Sequence, residues 1–410
     1  MRTLTLLLLL FAVISCKKDQ STLSETADYF LVPRPYVNQG NKQATIVLYE
    51  PLEGDFIRAP EKADFIEIYY SNDSTSLKFF KKISATQTEI NIPNLVNGVP
   101  YYFLTKTFKG KKSVSSDTVM TIPGIRPEIR LFPDASTFNS SVHGNLLSSD
   151  GKLMYYQKRN DTTLLDESYI KTLATNTVAK MVRPSVGLAW ANHSHKLLQL
   201  HNSYTIVLYD ADKNSESDVM TIPSQYENSG FTFSPDDQSL YYSTTLGVSN
   251  GLGAEIWKMA LDTKVKTQIS NLSSNHLSIQ GKLAVSPDEK SIYFAASMAF
   301  STNLWTPKAI YNYTLASKTL KAKLPEKWHD GSPSLSPDGK YLAFTSYRTG
   351  FQELWLLNTS SNELRQLTNM SDYRFSTYSN FSWLSSNEIV VAMHEANSSD
   401  YGNQFYKLRL

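Results

Sequence analysis

Cysteine is almost missing from this chain: Cys16 is the single one in 410 residues. That excludes a disulfide framework and leaves stability to packing. An excess of either charge is missing too. Forty basic residues face 38 acidic ones, for a net charge of +2, and no basic block stands out. Nothing here recommends a nucleic acid as partner. Alternation of strands with helical periods is absent, which excludes a wound α/β hydrolase or nucleotide-binding sheet. Long apolar runs are absent as well. The longest, Leu4 to Ile14, has eleven residues, where a membrane-spanning helix needs about 20.

What the chain does have is a repeat. Ser336-Pro337-Asp338-Gly339 precedes the strand Tyr341 to Ser346; Ser286-Pro287-Asp288 and Ser234-Pro235-Asp236 are further copies. Ser148-Ser149-Asp150-Gly151 is a weaker one, Ala191 falls at the register of the Ser, and Leu384-Ser385-Ser386-Asn387 keeps the shape without the Asp. The anchors at 148, 191, 234, 286, 336 and 384 are spaced by 43, 43, 52, 50 and 48 residues. A period of about 40–50 residues marks blades or solenoid units. Pro fixes φ, Asp accepts a backbone N–H and Gly permits positive φ, so each copy is a tight turn. Leu342 and Phe344 share one strand face by the period of two. Leu240 and Tyr242, Ile292 and Phe294, and Met154 and Tyr156 take their places, while Trp257, Tyr311, Tyr169 and Phe405 stand in third strands like Trp355. Small sheets with large residues on both faces bury them by radial stacking. Six anchors predict six blades. The sixth lacks a fourth strand, and Ile129 to Phe132 is predicted to supply it beside Phe405 to Leu410.

These motifs resemble the WD-like propeller repeat of TolB and its relatives, over residues 126–410. The resemblance implies a six-bladed β-propeller. It says little of function, since envelope scaffolds, peptidase propellers and polysaccharide lyases share the repeat.

Residues 29–124 carry short alternating strands with turns every 8–12 residues, the pattern of an Ig-like sandwich. Leu95, Gly98 and Tyr101 resemble the tyrosine corner of fibronectin type III modules, in which the Tyr hydroxyl caps the turn backbone; Tyr49 stands where that family places a core Trp. The fold class expected is therefore all-β, an Ig-like or fibronectin type III β-sandwich followed by a six-bladed propeller.

At the N-terminus, Arg2, the apolar run and Val13-Ile14-Ser15-Cys16 resemble a bacterial lipobox. The resemblance implies a signal peptide over 1–15, lipidation of Cys16, a polar tether over 16–28 and membrane attachment in the bacterial cell envelope.

Chemistry is sparse. Gly247-Val248-Ser249-Asn250-Gly251 fits a nucleophile elbow, but a strand pattern follows where a helix is needed. Asp236, Asp288 and Asp338 read as turn residues in separate blades. His143, His276, His329 (with Asp330) and His394 lie in loops that propeller geometry assigns to one rim, together with Trp305, Tyr347 and Arg348. This rim is the expected binding face for a protein or glycan, with no catalytic residue, cofactor or metal assigned. Two alternatives stand beside it. One is a propeller enzyme of polysaccharide-lyase type with a His-bound metal on the rim. The other is a spacer without a specific ligand.

Overall fold

Apolar residues at every second position give strands one buried face, and in this chain those faces have no helix to pack on. A computed structural model describes residues 32–49, 62–132, 142–222, 230–244, 254–298, 307–374, 381–396 and 404–410, apart from 161, 164, 182, 184 and 203. Apart from a 3-10 turn at Ser273–Asn275, every regular element among these residues is a strand. The leader and Cys16 fall outside them.

Eight strands form the N-terminal part: β1 (Arg34–Gly40), β2 (Gln43–Tyr49), β3 (Phe65–Ser71), β4 (Lys78–Ser84), β5 (Glu89–Ile92), β6 (Tyr101–Lys109), β7 (Lys112–Ser115) and β8 (Val119–Thr121). One sheet runs β1-β2-β5; the other runs β4-β3-β6-β7, with β8 also on β6. Ile46, Leu48 and Ile92 of the first meet Ile66, Ile68 and Phe103 of the second in one core. At the predicted corner the Val96 N–H donates to the Tyr101 hydroxyl at 3.2 Å, Leu95 is buried and Gly98 has φ +79°. Tyr49 fills no core position; its ring packs on Tyr36 and Phe351.

The rest is six antiparallel sheets, five of four strands and a sixth to which the short strand Tyr373–Arg374 adds a fifth. Blades one to five run in chain order over 142–180, 185–221, 231–268, 277–322 and 331–366. The sixth joins Phe381–Ser385, Glu388–Glu395 and Gln404–Arg409 to β9 (Glu128–Leu131). Tyr406 pairs with Leu131 and Leu408 with Ile129, and the Phe132 N–H donates to the Phe405 carbonyl at 2.7 Å. The first strand of each blade touches the first strand of the next, and that of blade six touches blade one. The wheel is closed, as the missing strand predicted.

The repeat residues meet as their spacing requires. Phe344 lies opposite Trp355, Phe294 opposite Tyr311, Tyr242 opposite Trp257, Tyr156 opposite Tyr169 and Ala392 opposite Phe405. Blade two departs, placing Gln199 opposite Val207. Five of the six anchor residues donate their N–H to the carbonyl five positions on: Ser148 to Leu153, Ala191 to Lys196, Ser234 to Ser239, Ser286 to Ser291 and Ser336 to Tyr341. The turn carboxylates accept from those serines, at 2.6 Å for Asp236 and 2.7 Å for Asp288 and Asp338. Those hydrogen bonds hold the Asp236 and Asp288 carboxyls below the ordinary range. For Asp338, burial opposes ionisation and the same bonds outweigh it.

Gly339 and Gly151 have φ +71°, as the turn demands. Blades three and four place Asp237 and Glu289 there, at φ +58° and +53°. Such a backbone costs a non-glycine residue on the order of 1 kcal/mol. Both side chains reach a neighbouring blade. Asp237 accepts from the Asn192 and His193 N–H groups at 2.7 Å, and Glu289 accepts from Tyr241 and Lys258, also at 2.7 Å. The degenerate turn of blade two is thus held by blade three. From the other side, His195 lies 3.1 Å from Asp150 of blade one and 2.7 Å from Asp212.

Two outcomes follow. Arg130 shares the hydrogen-bonded register of Phe132 by the alternation of the ladder, so Arg130→Pro removes a closing bond to Lys407. Denaturant melts are expected to show a loss of about 1–3 kcal/mol. Asp212 and then Asp150 raise the His195 pKa above its ordinary value. A raised histidine adds stability below its unfolded pKa and loses it as pH climbs through the folded one. The stability gap between wild type and His195→Gln is therefore expected to be widest near pH 6 and to shrink by pH 8 in parallel melts.

Candidate functional site

The rim residues singled out by sequence divide into separate groups. His143 sits in the inner strand of blade one, paired with Gln157, not in an entering loop; its side chain lies outside the described residues, as do Trp305 and the whole 247–251 motif. His276 is half-buried with φ +51°, ahead of the inner strand of blade four. His394 is in the second strand of blade six, opposite Arg374. His329, Asp330, Tyr347 and Arg348 do come together, at the junction of blades four and five. Among the described residues no three His, Cys, Asp or Glu side chains gather as a metal-holding group.

The blade-five cluster is not an open rim. Asp330 is 0% and Arg348 1% exposed, and they pair at 2.6 Å. Arg348 also donates from Nε to Ser346 Oγ at 2.8 Å and lies over the rings of Phe344 and Trp355. Burial raises the Asp330 pKa, and the Arg348 charge opposes that rise. Tyr347 is 42% exposed and its ring crosses that of the half-buried His329. The expectation that Arg348 and Asp330 face a ligand is corrected here: both are interior. A guanidinium in a loop sequence carries no sign of whether a buried carboxylate waits for it.

The pair shapes the loop over residues 346–351, and the N-terminal sheets sit on that loop. The Met120 N–H donates to the Arg348 carbonyl at 2.6 Å and the Val37 N–H to the Thr349 carbonyl at 2.9 Å. Gly350, at φ +99°, lies under Pro35 and Tyr36; a Cβ there would meet the Pro35 carbonyl oxygen at 2.6 Å. Phe351 is clasped between Tyr36 and Tyr49, with ring centres 5.1 and 5.0 Å away. A second seat is buried and polar. Thr121 donates to Gln366 Oε1 at 2.6 Å, and Gln39 donates to the Gln366 carbonyl at 2.9 Å and meets Asn369. Arg126 closes the seam on Asp372. Nearby, Glu353 is buried against Thr368, and burial pushes its carboxyl up to about 8. Glu255 and Ser270 repeat that arrangement in blade three.

Where the connection after β8, strand β9 and blade six meet, a recess of about 480 Å³ stays open. Arg126, Ile129, Ser371, Asp372, Tyr373 and Glu395 line it. The Tyr373 ring stands 4.7 Å from that of Tyr406, which fixes it. A ring, a hydroxyl, two carboxylates and a guanidinium suit a neutral, hydroxyl-rich group. The sequence offered no signal for this recess, because Arg126 and Asp372 are 246 positions apart.

No protein-family model matches the chain, and no curated protein matches it. Solved structures do resemble it at low identity. TolB from Acinetobacter baumannii is 14% identical over 77% of each chain, with a TM-score of 0.43. An oligogalacturonate lyase in complex with manganese is 13% identical over 70% of this chain and 97% of its own, with a TM-score of 0.45. The β-propeller domain of the Trilobed protease from Pyrococcus furiosus is 11% identical over 92% and 95%, with a TM-score of 0.43. The architecture described above rests on strand order and closure alone.

Removing one partner strands a buried charge. Arg348→Ala is therefore expected to destabilise by about 3–5 kcal/mol, and Arg348→Met with Asp330→Leu to recover much of that in the same denaturant series. Gly350→Ala is expected to leave the propeller folded and to make the linker after β8 more open to limited proteolysis.

Proposed function

We propose that this chain is a non-catalytic lipoprotein of the bacterial cell envelope whose propeller binds a glycan. The observation that carries this reading is the recess between the closing strand and blade six. It offers the Tyr373 ring beside the Asp372 and Glu395 carboxylates and the Arg126 guanidinium. Carboxylates and guanidinium accept and donate to sugar hydroxyls, and an aromatic face packs on the apolar side of a sugar ring. A catalytic reading through a His-held cation has no ligand set in its favour among the described residues.

The remaining assignments belong to the same reading. Residues 1–15 are a signal peptide, Cys16 carries lipid and 16–28 form the tether. Residues 29–124 are a fibronectin type III-like module, and 126–410 a TolB-type propeller. The module's contacts with blades four to six support a role as a rigid mount.

Envelope oligosaccharides titrated calorimetrically into the protein are expected to show at least one binder. Tyr373→Ala and Glu395→Gln are each expected to weaken it by roughly tenfold, the loss of one well-made contact. Binding untouched by both variants would sink the proposal. Cys16→Ala is expected to move the protein from the membrane fraction to the soluble one and to abolish labelling by a fatty-acid precursor.

A further inference from the structure

We infer that the outer face of the β4-β3-β6-β7 sheet is a docking surface for a bilayer rich in anionic phospholipid. The propeller takes only one end of this face: Tyr102 and Met120 pack against blades four and five. The other end is left to solvent. There Phe65 of β3 stacks on Phe108 of β6 at 4.6 Å, and Phe79 of β4 crosses Tyr69. Lysines surround these rings. Lys82 Nζ lies 3.3 Å above the Phe65 ring and Lys106 Nζ 5.3 Å above that of Phe108. The β6–β7 hairpin adds the exposed Lys111 at its tip. One carboxylate lies on this face and is engaged, Glu67 accepting from the Tyr69 hydroxyl at 2.6 Å; Asp64 faces the other side of the sheet, where it pairs with Lys109 at 3.3 Å. Asp73 and Asp117 lie toward the propeller end.

Three observations select a bilayer as occupant. The surface is a sheet face with side chains in rows, which matches a broad plane of like charge. Phe79 is 57% exposed at its edge, an aromatic placed to enter the headgroup layer while the lysines stay at the phosphates. And this same module receives the chain that begins with the apolar run ending at Cys16. The inference does not depend on the glycan reading, nor on Cys16 being acylated.

The test uses the chain from Lys17 onward, which keeps every described residue and has no acyl group, with sedimentation on extruded vesicles. It is expected to bind vesicles of phosphatidylglycerol with phosphatidylcholine, not phosphatidylcholine alone, and to detach as salt rises. Lys82→Gln with Lys106→Gln and Lys111→Gln is expected to weaken binding on the order of 100-fold, each lysine near the surface counting for about fivefold. Phe79→Ser should weaken it several-fold while leaving the salt dependence intact; thermal melts matching wild type show that these variants fold. Three results would each overturn the inference: no binding to anionic vesicles at low salt, equal binding by the triple variant, or binding to soluble polyglutamate as tight as to vesicles with Phe79→Ser without effect.

Discussion

A four-stranded sheet with large residues on both faces is stable only when another sheet covers each face, so the propeller depends on having no first or last blade. That condition is met at a single seam. Glu128–Leu131, which precedes blade one in the chain, completes the sheet that ends with Gln404–Arg409. Without that pairing, Phe405 and Tyr406 would border an open edge, and the apolar faces of blades one and six would lose their covers. The cross-strand pairs Phe344–Trp355, Phe294–Tyr311 and Tyr156–Tyr169 recur in the blades because each blade solves the same packing problem.

The turns show how such a repeat drifts without losing its geometry. Where Gly339 and Gly151 take a left-handed backbone at no cost, Asp237 and Glu289 take it at some cost and use their side chains across blade boundaries. Asp237 compensates for the neighbour that has diverged most: blade two has no turn carboxylate and no aromatic pair, and its turn is fastened by Asp237 on one side and by Asp150 through His195 on the other. Local strain in one sheet offsets weak local chemistry in the next.

Much of this was legible in advance. The spacing of the Ser-Pro-Asp turns located the blades, even at Ala191, and the missing fourth strand pointed to β9. Leu95, Gly98 and Tyr101 announced a corner that the Val96–Tyr101 bond fulfils. These are local or periodic signals. The mount was not legible. Arg348 read as an exposed anchor because nothing adjacent to it in sequence reveals Asp330 as its buried partner, and Thr121, Gln39 and Gln366 are ordinary polar residues until they meet. The recess was invisible for the same reason, being assembled from segments hundreds of positions apart.

The seating of the N-terminal sheets on blades five and six has a mechanical side. Strand β9 leaves that module and enters the wheel directly, so tension on the chain ahead of the module would arrive first at the contacts around Gly350, Gln366 and Asp372. Only after those yield does the load reach the strand that shuts the ring. The mount thereby acts as a strain relief, sparing the one pairing whose rupture would open all six blades.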